Sequence, residues 1–236
     1  MRVEMQPAYV LHTRPYRESC LLVDSLSRDY GRLTLLAKGA RKIANKSKPT
    51  IRHLLQPFMP ITVSWLGKSS LKTLSAVEPQ SGPILLYEKY LYSAFYINEL
   101  LSLLLNKNDT SNGYYDLYTD AITHLANHED IETVLRRFEF ALLELLGYGI
   151  DFYTEANTGE PLLMQGYYRF VPNLGFVEAD STYSSLQLLL SGETIQSIAN
   201  NDLQQKHVRH SAKQIARMAL KPHLKGAPLR SRELFK

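Results

Sequence analysis

A single cysteine, Cys20, leaves the chain no partner for an internal disulfide and no cysteine cluster for a metal. The chain fits a reducing compartment. Long apolar runs are also missing. The most hydrophobic stretch, Ile84 to Leu105, is interrupted by Glu88, Lys89, Asn98 and Glu99, which argues against a membrane span. The N-terminal MRVEMQPAYVLHTRPYRE is broken by charges and prolines and has no apolar core of signal-peptide length. A soluble cytoplasmic protein is expected, with no membrane partner.

Sets of residues that make or break bonds are scarce too. Gly67-Lys68-Ser69 ends like a phosphate-binding loop, but Thr62 stands where its first glycine belongs and the segment leads into a strand. His124 and His128 are spaced to share a metal, without an evident third ligand. Asp116 and Asp120 lie one turn apart in polar surroundings, and Cys20 sits in an apolar strand with no base nearby in sequence. No carboxylate cluster suits two-metal hydrolysis. The expectation is a binding protein rather than an enzyme, with no cofactor and no metal.

What is abundant is charge, unevenly spread. Residues 1–80 carry 13 Lys plus Arg against 5 Asp plus Glu; residues 81–205 carry 5 against 17; residues 206–236 carry 9 against 1. The net +4 therefore hides two basic ends around an acidic middle, and a polyanion should be confined to the ends. The densest patch is Gly31 to Lys48, where Arg32, Lys38, Arg41, Lys42, Lys46 and Lys48 fall within 17 residues without an acid. A phosphate-binding loop and a merely solvated one both fit that run. Arg14 adds a further cation upstream.

The first eighty residues read as short strands. Tyr9 to Thr13, Cys20 to Leu26, Arg32 to Lys38, Pro60 to Leu66 and Ser70 to Val77 are rich in branched and aromatic residues and separated by turn signals. Five such strands suit a small closed barrel such as an OB-fold. Tyr9, Tyr16, Tyr30, Phe58 and Trp65 offer flat faces for bases, although a barrel this small should bury most of them. From Pro83 the period lengthens to about 3.6 residues. Helices are predicted around Leu86 to Leu101, over Tyr114 to Ala126, after Asp130 to Gly147, from Thr182 to Leu190 and from Leu203 to Lys221. Glycines and prolines around Tyr167 to Val171 mark residues 153–179 as a hairpin insert. The predicted architecture is α+β: a five-stranded OB barrel in residues 1–80, then a helical domain in 81–236 with that insert and a basic helix and tail in 203–236. On the last helix Lys206, Arg209, His210, Lys213 and Arg217 share one face, opposite Val208, Ala212, Ile215 and Ala219.

AYVLHTRPYRES at 8–19, LLVD at 21–24, GRLTLLAKGAR at 31–41, LQPF at 55–58 and KTL at 72–74 occur in one order with YINELL at 96–101, RRFEFALLELLGYG at 136–149, GEP at 159–161 and RMALKPHLKGAPLRSRELF at 217–235. Together they resemble the RecO family of bacterial recombination mediators along essentially the whole chain. The resemblance implies an OB-fold that binds single- and double-stranded DNA and anneals complementary strands without ATP. It also implies help, with RecR, in loading RecA onto DNA coated by single-stranded-DNA-binding protein (SSB), and a nucleoid-associated protein. A monomer and an OB-fold RNA-binding protein are kept as the oligomeric expectation and the competing function.

On this reading Arg14, Arg32, Lys38, Arg41, Lys42, Lys46 and Lys48 are the DNA-binding residues. Many relatives of the family carry a four-cysteine zinc site in the insert; here the insert has no cysteine, so zinc is not expected. SSB ends, by the same resemblance, in an acidic, apolar tail, which needs a cation beside an apolar groove. Arg136 and Arg137 are the first choice for it. Lys206, Arg209, Lys213 and Arg217 are the second.

Overall fold

The computed structural model describes residues 1–42, 51–107, 113–179 and 188–235. Strands β1 (Arg2–Tyr16), β2 (Cys20–Ser27), β3 (Gly31–Ala37), β4 (Ile61–Leu66) and β5 (Leu71–Pro79) close into a barrel in the order β1-β2-β3-β5-β4. Neighbours are antiparallel except β3 and β5, which run parallel from Thr34 opposite Leu71 to Leu36 opposite Thr73. All five expected strands are present. β1 alone is much longer than its sequence pattern, because register shifts between Val3 and Gln6 and between Val10 and His12 interrupt the alternation that marks a strand.

Inside the barrel, Val10, Val23, Leu33, Leu35, Ile61 and Val63 pack around Trp65, against whose ring Tyr30 stands edge-on at 5.1 Å. The outside of β1–β3 is apolar as well. Ala8, Tyr9, Val10 and Leu11 are four consecutive buried residues, so the strand needs cover on both faces. Helices α1 (Glu88–Leu104) and α2 (Tyr114–Ala126) provide it. The Tyr9 ring lies 5.3 Å from Tyr115 and 4.9 Å from Tyr118, and Asn98 on α1 donates its side-chain N–H to the Leu11 carbonyl at 3.0 Å.

Two compact units result, Met1–His128 with Leu229–Lys236, and Glu129–Pro228. The change of periodicity at Pro83 and the boundary of compactness thus fall at different places, since the barrel keeps its first two helices. In the second unit α3 (Ile131–Leu145) starts at Asp130, whose carboxylate accepts the Thr133 N–H at 2.9 Å, and ends before Gly147 at φ 81°, a conformation that suits glycine. It packs through Val134, Phe138 and Leu142 on α5 (Lys206–Leu220), which turns Val208, Ala212 and Ile215 inward.

The expected hairpin is β6 (Tyr167–Val171) with β7 (Gly175–Glu178), and β8 (Leu189–Ser191) adds a third strand beside β6. The helix predicted over Thr182 to Leu190 is corrected there. Leu189 to Ser191 is extended, while 182–187 lie outside the described residues. A short leucine run fits either period, and pairing with β6 decides it. Ser191 then caps an unanticipated helix, α4 (Gly192–Ala199), by accepting the Thr194 N–H at 3.2 Å. No helix among the described residues is long and apolar enough to cross a membrane.

Candidate nucleic-acid interface

An OB-fold commonly takes nucleic acid across the outer face of strands 2 and 3 and the loops at the rim. Here α1 and α2 cover the strand face. Leu22 and Leu26 on β2 are 9% and 0% exposed. Arg32 on β3 turns to Asp24 on β2, with Nη2 to Oδ2 at 2.7 Å and Nε to the two oxygens at 3.2 and 3.1 Å, and its Nη1 donates to the Leu105 carbonyl at 2.8 Å. Each of its three nitrogens has a partner within the fold, so the expectation that Arg32 meets DNA gives way to a structural role. Tyr9, Phe58 and Trp65 are buried, which removes them as base platforms.

The rim is different. Tyr16 pairs with Cys20 across the tight turn that joins β1 to β2, and Arg17 takes φ 51° within it. After β3, Gly39 adopts φ 72° and Ala40, 1% exposed, plugs into the barrel core. The Arg41 N–H donates to the Ser19 carbonyl at 3.0 Å and its Nη1 to the Arg17 carbonyl at 3.3 Å, which ties the two turns together. With Ala40 held inside, Lys38, Arg41 and Lys42 are left outside and exposed.

Between these turns lies a cleft of about 400 Å³ lined by Tyr16, Arg17, Ser19, Cys20, Leu36, Lys38, Gly39 and Lys42. Three cations line it and no acid does. Arg17 rests over the Tyr16 ring at 5.3 Å. The arrangement suits phosphates, with a partly exposed aromatic ring beside them. Lys38 and Lys42 thus line the cleft with Arg41 beside it, while Lys46 and Lys48 lie outside the described residues. Arg14 lines a separate cleft. Sequence reasoning missed Arg17, although its place beside Tyr16 in a two-strand turn was a usable signal.

The cations expected to meet a partner are mostly engaged within the second unit. Arg136, 6% exposed, forms an ion pair with Glu139 at 2.8 Å, which corrects its expected surface role: it faces the core side of α3. Arg137 is exposed and fans its Nη2 and Nε toward the Asn201 carboxamide oxygen, at 2.8 and 2.5 Å with the amide in its satisfied orientation. Arg209 and Lys213 converge on Glu132 at 3.6 and 3.3 Å. Lys206 and Arg217 stand exposed at the two ends of that face.

His124 pairs with Asp120 at 3.2 Å, and His128 packs edge-on to Tyr90 at 4.8 Å, so the histidine pair has no common focus. The insert does not fit zinc. At its centre the Glu155 carboxylate, 6% exposed, accepts N–H groups of Thr158 at 2.6 Å, Asn157 at 2.9 Å and Glu178 at 3.3 Å, so its oxygens are filled by donors. Phe152, Phe170 and Phe176 pack beside it with ring centroids 5.4 to 5.6 Å apart.

Comparison with known proteins agrees with this layout. A family model described as the N-terminal part of recombination protein O matches residues 1–82, and one for its C-terminal part matches residues 88–233. The DNA repair protein RecO of Haemophilus influenzae strain PittGG is 40% identical over 235 residues, covering 100% of this chain and 97% of that protein. The DNA repair protein RecO of Vibrio cholerae serotype O1 is 43% identical over 232 residues, covering 98% and 93%. An OB barrel carrying a cationic rim, followed by helices and matched end to end by these relatives, places this chain in the RecO family of DNA repair proteins.

Proposed function

We propose that this protein is a non-enzymatic, monomeric recombination mediator. It holds single- and double-stranded DNA by phosphate contacts at the barrel rim, anneals complementary strands without ATP, and works with RecR to load RecA onto SSB-coated single strands. The observation that carries the DNA-binding part is the acid-free cleft where Arg17, Lys38 and Lys42 converge beside Arg41. Phosphate contacts of this kind are indifferent to sequence, which an annealing protein requires. The SSB tail is assigned to the exposed cations of the helical unit, Arg137, Lys206 and Arg217, rather than to Arg136.

Charge reversal at Lys38, Arg41 and Lys42 together tests the interface. Single-strand affinity should fall, and the slope of log affinity against log salt should flatten by roughly 0.7 for each phosphate that is no longer neutralised. Unchanged affinity and slope would place DNA elsewhere. Preference for RNA over DNA of equal sequence would favour the RNA-binding reading instead. An annealing assay on complementary strands, with and without SSB, tests the mediator role.

A further inference from the structure

Phosphate contacts at the rim do not by themselves tell a single strand from a duplex, since both present phosphates. A group that does so must meet a base, and an unpaired base differs from a paired one in offering its flat faces. Among the described residues lining the rim cleft, Tyr16 alone carries a ring. Tyr9, Phe58 and Trp65 are buried and Tyr30 packs on Trp65, whereas Tyr16 is partly exposed. The ring therefore stands among Arg17, Lys38 and Lys42 with one surface open to a ligand.

Tyr16 is also held still. It ends β1, where it pairs with Cys20, and the turn that follows is tied to the turn after β3 by the bonds from Arg41 to the Ser19 and Arg17 carbonyls. A ring on such a mount loses little freedom when a base settles on it, so ordering offsets little of the stacking.

The group now resting on the ring can be exchanged. Arg17 is exposed, lies over Tyr16 at 5.3 Å and forms no ion pair among the described residues. A cation over an exposed ring is weakly held, and a guanidinium is well suited to phosphate. We propose that Tyr16 stacks an unpaired base while Arg17, moved off the ring, takes a neighbouring phosphate, and that this exchange makes the rim favour single strands. The inference rests on the reading that DNA binds at the rim. Pairing with a complementary strand takes the base off the ring and leaves phosphate contacts alone, so the annealed product is held less tightly than the strand it came from.

The test uses the full chain with labelled oligothymidine, an abasic oligomer of the same length and a blunt duplex of that length. Wild type should bind oligothymidine about tenfold more tightly than the abasic oligomer. Tyr16→Ala should lose that factor, while its affinity for the abasic oligomer and the duplex stays at wild-type values. Because the ring is uncharged, the slope of log affinity against log salt should not move, whereas charge reversal at Lys38, Arg41 and Lys42 should flatten it. Tyr16→Phe should keep the preference. Wild-type affinity of Tyr16→Ala for oligothymidine overturns the proposal, and leaves the rim reading standing if the charge reversal still weakens binding. No effect of either change places DNA elsewhere and removes both. Equal loss of all three ligands in folded Tyr16→Ala gives the ring a structural role and overturns the proposal too. Should Tyr16→Ala fail to fold, Tyr16→Leu, apolar but without a flat face, decides in its place.

Discussion

Arg136 and Glu139 face each other one turn apart on α3, at 2.8 Å, with 6% and 1% of their surfaces exposed. Two charges taken so far from water hold each other in place, and removing one strands the other. Arg136→Ala should destabilise the fold by about 3–5 kcal/mol, whereas Arg136→Met with Glu139→Leu should come close to wild type or exceed it. Urea unfolding of the three proteins measures this. Single and double variants that lose stability equally would mean that the pair contributes through packing and not through charge.

Arg32 and Asp24 make the corresponding bond under α1, with side chains 14% and 18% exposed. Arg32→Ala should cost about 2–3 kcal/mol of stability, given three hydrogen bonds to a carboxylate and one to a carbonyl. Its DNA affinity and salt slope should stay at wild-type values under conditions where it is folded. A flattened salt slope in the folded variant would return Arg32 to the interface.

These two pairs also show what the sequence could and could not convey. The barrel was legible because β2 to β5 are short runs rich in Val, Leu and Thr that end in turn signals, with clear alternation at Ile61, Val63 and Trp65, and α2, α3 and α5 because their apolar residues keep one period. β1 was legible only in its middle, since its bulges break the alternation that reveals a strand. Spacing shows that Arg32 belongs to a cationic run, but only the pairing of Arg32 with Leu26 and of Asp24 with Thr34 brings its guanidinium over the Asp24 carboxylate. Arg136 and Arg137 are adjacent and identical in type, yet α3 turns one inward and the other outward. The place of Arg17 beside Tyr16 in a turn is a local signal, but the contact with Arg41 that ties it to the other turn is long-range and no local pattern encodes it.

The tyrosine cluster under α2 gives the protein an alkaline limit. Burial first, and then the Tyr9 phenol, push Tyr115 from 10.0 up to about 12, and burial holds Tyr118 well above its usual value. Both rings are neutral in the fold, while an unfolded chain ionises them near 10.0. Their contribution is thus complete below pH 10.0 and is lost as pH rises through about 12. Absorbance at 295 nm should show late-titrating tyrosines that appear together with unfolding. Tyr115→Phe should flatten the loss of stability over that interval, and an unaltered decline would exclude Tyr115 as its source.

Glu155 sets the opposite limit, in the insert. Burial raises its carboxyl, but the Thr158 N–H and hydroxyl and the N–H groups of Glu178 and Asn157 outweigh that, leaving it below the usual 4.5. The depressed value means that its contribution is present above pH 4.5 and is lost as pH falls through the lower folded value. Glu155→Gln keeps the shape but removes the charge that three backbone N–H groups share, so the acid-dependent part of the unfolding curve should shrink. Amide exchange should rise at Asn157, Thr158 and Glu178 first. A chelator should leave the melting temperature of wild type unchanged, because donors and not a cation fill the carboxylate. Melting that drops on chelation and recovers with zinc would show that a metal, and not Glu155, holds the insert.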